Sequence, residues 1–175
     1  MKIENCKIEN FFRKGFSFLE LMIVIAIIGI MTVAAFVSLH GAKESKSVEI
    51  AAREVAAAVR EAQNNALTGK IMNLGEYPCQ FSFKNSLPDT YEIEYKFHNG
   101  GGCSGTTAAL YASYNLQDGV TFSGSPQTIS FDIPHATNNI GAIPTGIIVS
   151  KGSSTYRVCV YSSGRVIETS AACPS

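Results

Sequence analysis

Residues 13–31 read RKGFSFLELMIVIAIIGIM. Two basic residues and a glycine lead into an almost purely apolar run, and one carboxylate, Glu20, stands at its mouth. An ionisable group inside a membrane segment costs about 2.5–3.5 kcal/mol even on lenient scales, so it normally has a partner. Residues 21–37 are apolar apart from Thr32. Together with 16–19 they predict a helix about 30 Å or more long at ~1.5 Å per residue, enough to span a hydrocarbon layer. Basic residues precede the run and no comparable excess follows it, an asymmetry that places the N-terminus in the cytoplasm. Three processing outcomes fit this pattern. A secretory signal would be cut after the run, at Val33-Ala34-Ala35. A signal anchor would be kept whole. A third cut falls before the run, after Gly15.

The sequence beyond the run favours keeping it. In KESKSVEIAAREVAAAVREAQNNALTGK, residues 43–70, apolar or small residues recur at Val48, Ala51, Ala52, Val55, Ala58, Val59, Ala62, Ala66 and Leu67. That is helical spacing, with most charges on the other faces. Gly69-Lys70 is a stop signal. The expectation is one helix over 16–69, membrane-spanning over 16–39 and amphipathic over 41–69. The rival is two helices broken near Gly41.

From residue 70 to 175 the pattern changes to period two. CQFSFK (79–84) sets Cys79, Phe81 and Phe83 on one side, and YEIEYKFH (91–98) sets Tyr91, Ile93, Tyr95 and Phe97 on one side. TISFDI (128–133) does the same with Ile129, Phe131 and Ile133. Further strand signals lie at 120–122, 146–150, 156–161 and 165–168, separated by Gly, Pro, Asn and Ser. Such alternation marks antiparallel sheets with one buried and one wet face. The stretch 156–169 reads as a hairpin turning at Ser162-Ser163-Gly164. The whole is an α+β chain: a long N-terminal helix packed on an antiparallel β-sheet or β-sandwich head.

These residues reach a known family. Arg13-Lys14-Gly15-Phe16 with Glu20 and the apolar helix resembles the class III leader of type IV pilins and type II secretion pseudopilins. The resemblance implies a leader of residues 1–15, cut by the prepilin peptidase after Gly15, and methylation of the new amine on Phe16. It also implies that Glu20 meets the N-terminal amine of a neighbouring subunit during assembly. The terminal hairpin, through Val160, Gly164, Arg165 and Val166, is similar to the GspH/FimT branch of minor pilins and pseudopilins. DNA-binding members of that branch carry Gly-Arg-x-Arg there. Ile167 occupies the second arginine's position, so DNA is not the favoured partner. Arg165, with Arg157 and Lys151 as helpers, would make any nucleic-acid contact.

Charge agrees with that ranking. The chain has 175 residues with fourteen basic and fourteen acidic side chains. Loss of residues 1–15 takes four basic and two acidic ones, leaving ten against twelve. A mildly acidic body argues against general phosphate neutralisation. Cys6 lies in the leader. Cys79, Cys103, Cys159 and Cys173 remain, an even number in a domain expected outside the cytoplasm. Cys79–Cys103 and Cys159–Cys173 are the favoured pairs because both close short loops; free thiols are the alternative. No CxxC or CxxH spacing supports a metal site, and no cofactor is expected. His40, His98 and His135 are scattered, GCSG at 102–105 reads as a loop, and no catalytic motif is recognisable.

The expectation is a structural subunit, a minor pilin or pseudopilin near the tip of a filament. Its partners would be other subunits, the prepilin peptidase and the inner membrane. The rivals are a DNA-capturing minor pilin of an uptake machine and a signal-anchored binding module or enzyme that never polymerises.

Overall fold

Alanine and valine repeating every third or fourth residue leave one face of a helix thin enough for a sheet to approach closely, and the computed structural model shows that approach. It describes residues 17–72, 77–98, 103 and 107–174, and of 33–40 the backbone alone. The leader and the predicted cleavage site, Gly15 and Phe16, lie outside the described residues. Helix α1 spans Phe18–Thr68 and is helical through Gly41. Residues 1–40 and 41–175 form two compact units.

Among the described residues of the second unit, nine strands follow the helix: β1 Pro78–Ser86, β2 Thr90–Phe97, β3 Ala109–Asn115, β4 Thr121–Ser123, β5 Thr128–Asp132, β6 Thr137–Asn138, β7 Thr145–Lys151, β8 Ser154–Val160 and β9 Val166–Thr169. They make a five-stranded sheet, order β3-β2-β1-β5-β6, and a four-stranded sheet, order β4-β7-β8-β9. Neighbouring strands in both sheets run antiparallel. The fold is therefore α+β, an N-terminal helix packed on antiparallel sheets.

One apolar cluster joins all three layers. It takes Val48, Ala52, Val55, Val59, Ala62 and Ala66 from α1, Phe81, Phe83, Ile93 and Phe131 from the five-stranded sheet, and Ile147, Val149, Val158 and Val160 from the other. Ala52, Val55, Val59 and Ala62 are wholly shielded, as are Phe81, Phe83 and Ile93. The helical stripe read from sequence is the buried one, with one correction. Leu67 is 52% exposed, because about 100° of helical turn separates it from the buried Ala66 and carries it off the covered face.

Polar contacts fix the helix against the four-stranded sheet. The Arg60 guanidinium donates to the Val166 carbonyl at 3.0 Å and to Glu168 Oε1 at 2.8 Å. Asn138 on β6 donates through Nδ2 to the Tyr161 carbonyl at 2.9 Å, tying the edge of one sheet to the end of the other. Cys79 is bonded to Cys103 and Cys159 to Cys173. The second bond draws the C-terminal segment over β7, where a Cβ on Gly146 would meet Cys173 Sγ at 3.2 Å.

The hairpin β8–β9 turns at residues 161–165. Gly164 N–H donates to the Tyr161 carbonyl at 2.9 Å, and Tyr161 N–H to the Arg165 carbonyl at 3.0 Å. Gly164 has φ +81°, a conformation that costs an L-residue about 1–2 kcal/mol. A Cβ there would also crowd Gln63 on α1. Gly164→Ala is expected to lower unfolding free energy by ~1–2 kcal/mol, read from urea denaturation of the chain shortened to residues 41–175. An unchanged midpoint would mean that the turn rearranges without strain.

Candidate assembly site and C-terminal hairpin

The first unit offers an apolar surface with one charge. Phe18, Leu19, Leu21, Met22, Ile23, Ile25, Ile27, Ile28, Ile30 and Met31 are all more than half exposed. Their exposure runs around the helix, so no single stripe is favoured. Thr32 hides its hydroxyl within the helix by donating to the Ile28 and Gly29 carbonyls at 2.8 and 2.9 Å. Such back-bonding makes a polar residue tolerable in apolar surroundings. Glu20 lies in the first turn, exposed, where the unpaired N–H groups of the helix start favour an anion. Among the described residues, no helix is long and apolar enough to cross a membrane.

The hairpin residues do not converge. Arg165 is exposed, and its guanidinium lies over the Tyr161 ring, 4.3 Å from the centroid. Tyr161 in turn donates its hydroxyl to the Pro174 carbonyl at 2.8 Å. Lys151 stands at the opposite end of β8, paired in register with Ser154, and its Nζ donates to the Asp118 carbonyl. Arg157 lies between, half-buried, opposite Ile148 and Thr169. Seven residues of extended chain hold Lys151 and Arg165 about 20 Å apart. Glu168 is held by Arg60.

Scattered single cations give little phosphate affinity, because binding strength grows with the number of phosphates neutralised together. The chain from residue 41 is expected to bind double-stranded DNA weakly or not at all at physiological salt. A fluorescence titration reads this. Binding at low-micromolar protein that is abolished by Arg165→Ala would overturn it. Among the described residues no group of three or more His, Cys, Asp or Glu is placed to hold a metal.

A solvent-facing apolar helix with one carboxylate in its first turn, joined to an α+β head, defines a class of chain that buries the helix in lipid or against other helices. Residues 11–36 match the family model for the prokaryotic N-terminal methylation motif. This supports a type IV pilin-like or pseudopilin subunit, and the family that carries the motif is structural rather than catalytic. No curated protein and no solved structure matched the chain.

Proposed function

We propose that the chain is a minor pilin or pseudopilin of the GspH/FimT type, a non-enzymatic subunit at or near the tip of a type IV pilus or type II secretion pseudopilus. The observation that carries the reading is the methylation-motif match over 11–36 together with Glu20 in the first turn of an exposed apolar helix. In this account residues 1–15 form the leader, 16–69 the helix and 70–175 the head. Before assembly the chain sits in the inner membrane with its N-terminus in the cytoplasm and its head outside. Cleavage after Gly15 by the prepilin peptidase removes the four leader cations and frees the amine of Phe16, which is methylated. Glu20 of one subunit then meets the amine of its neighbour, so that neither charge enters the apolar filament interior alone. Disulfides in the head suit an oxidising, extracytoplasmic space.

Immunogold labelling of filaments with an antibody against the head tests the position. The expected result is sparse labelling at filament ends. Even labelling along the shaft would make the chain a major subunit, and label confined to cell membranes would remove it from the filament.

A further inference from the structure

A groove of about 450 Å³ opens between the second half of α1 and the edge strand β3, within the size range of roughly 300–1,000 Å³ usual for ligand sites. Its walls come from three distant stretches of chain. Glu54 and Glu61 stand on the helix rim, two turns apart, about 10 Å at ~1.5 Å per residue. Ala57 and Ala58 between them leave room above the helix backbone. Tyr91 and Tyr114, partners in the β2–β3 register, close the far side with their rings stacked, centroids 5.3 Å apart.

The ring wall is rigid on one side and open on the other. Tyr91 is buried and braced edge-on by Phe122. Tyr114 lies on it and is 40% exposed. Burial pushes the Tyr91 phenol up to about 12, with the Glu54 carboxylate adding to the effect. The Tyr114 phenol is raised by burial and then by Glu61. Both rings therefore stay neutral at physiological pH, and the charge of the groove comes from the two glutamates. Among the described residues neither Glu54 nor Glu61 has an ion-pair partner, although Glu49, one turn before Glu54, is held by Lys46 and Arg53. Lys70, whose charge opposes the rise at Tyr114, is engaged with Tyr111, donating to its hydroxyl and standing 4.5 Å from its ring centroid.

We propose that this groove receives a basic segment of another protein, anchored by an arginine that lies on the Tyr114 ring and reaches the Glu54 or Glu61 carboxylate. The occupant is chosen by complementarity. A tyrosine face attracts a cation through its quadrupole, and carboxylates on the rim add charge-assisted hydrogen bonds. The head already seats one cation on a tyrosine face, Arg165 on Tyr161. Arginine suits the site better than lysine because a planar guanidinium can stack and fork to a carboxylate at once, which a compact ammonium cannot. The glutamate spacing of about 10 Å matches two arginines three residues apart on a segment in the polyproline II conformation, which carries i and i+3 on one face at ~3.1 Å per residue. The proposal stands whether or not the chain enters a filament.

The test uses the full chain in detergent micelles and an acetylated, amidated Gly-Arg-Gly-Gly-Arg-Gly peptide, followed by calorimetric titration. The expected result is saturable binding that falls at least about tenfold in the double variant Glu54→Gln/Glu61→Gln, the scale of losing a charge-assisted contact. The same charge change outside the groove, Glu44→Gln/Glu49→Gln, should leave affinity within about twofold, since neither side chain lines the groove and salt screens distant surface charges. A citrulline peptide of the same shape should not bind. Thermal melts of the variants check that the head remains folded. Undiminished binding by the groove variant, or an equal loss in the control variant, would overturn the site. Equal affinity for the lysine counterpart, Gly-Lys-Gly-Gly-Lys-Gly, would overturn the arginine anchor.

Discussion

Val59→Asp is expected to unfold most of the head. Val59 is wholly shielded at the centre of the helical stripe, in the cluster that joins α1 to both sheets. An aspartate there has two outcomes, both costly. Ionised, it buries a charge without a partner; protonated, it buries polar atoms within an apolar cluster. The penalty of leaving a buried charge uncompensated is about 3–5 kcal/mol, comparable with the whole stability of a small domain, about 5–15 kcal/mol. Val59→Ala keeps the chemistry and removes only two methyl groups, so roughly 2 kcal/mol is expected from lost burial and the cavity left behind. Urea unfolding of the chain from residue 41, followed by far-ultraviolet circular dichroism, separates the two. That shortened chain should itself be soluble, since it omits the exposed apolar half of α1. A Val59→Asp head as stable as the parent would mean that this stripe faces something other than the sheets.

Glu20→Leu is expected to leave the head folded and to abolish incorporation into filaments. The substitution adds apolar surface to an already apolar helix, so insertion into a membrane should improve. What it removes is the counter-charge for a neighbour's amine. An amine carried into the filament interior without that partner costs about 3 kcal/mol or more, over a hundredfold in each subunit contact. The comparison is the amount of the variant in the sheared filament fraction against the amount in membranes. Normal incorporation of Glu20→Leu would assign Glu20 to the headgroup layer beside Arg13 and Lys14, with no part in subunit pairing.

Much of this architecture could be read from residue order because each element repeats its own period. The stripe from Val48 to Ala66 and the alternations at 79–84, 91–98 and 128–133 each bury one face, and burial is what imposes a period. Strand β3 escaped for the converse reason. It is the edge of its sheet, its residues are half-buried or exposed on both sides, and ALYASYN carries no alternation to detect. The two-residue β6 is too short for any period. Leu67 fits the helical pattern yet points away, since an apolar pattern does not show how wide the covered face is.

The candidate sites divide along the same line. Gly15, Phe16 and Glu20 form a local motif, legible within eight residues. The hairpin cations looked like one patch because they lie within fifteen residues of sequence. The antiparallel return of β8 puts Lys151 and Arg165 at opposite ends. The Arg60–Glu168 pair and the acidic aromatic groove are built from the helix and from strands far along the chain. No spacing rule connects such partners before the topology is known.

The central claim is that the apolar helix is kept and the segment before it removed. The direct measurement is the intact mass and N-terminal sequence of the mature protein from cells that carry a prepilin peptidase. The account predicts a chain that begins at Phe16 with one methyl group on its amine. A mature chain beginning near Phe36 would show an ordinary secretory signal, and one that retains Met1 would show a plain anchor; either would contradict the filament reading.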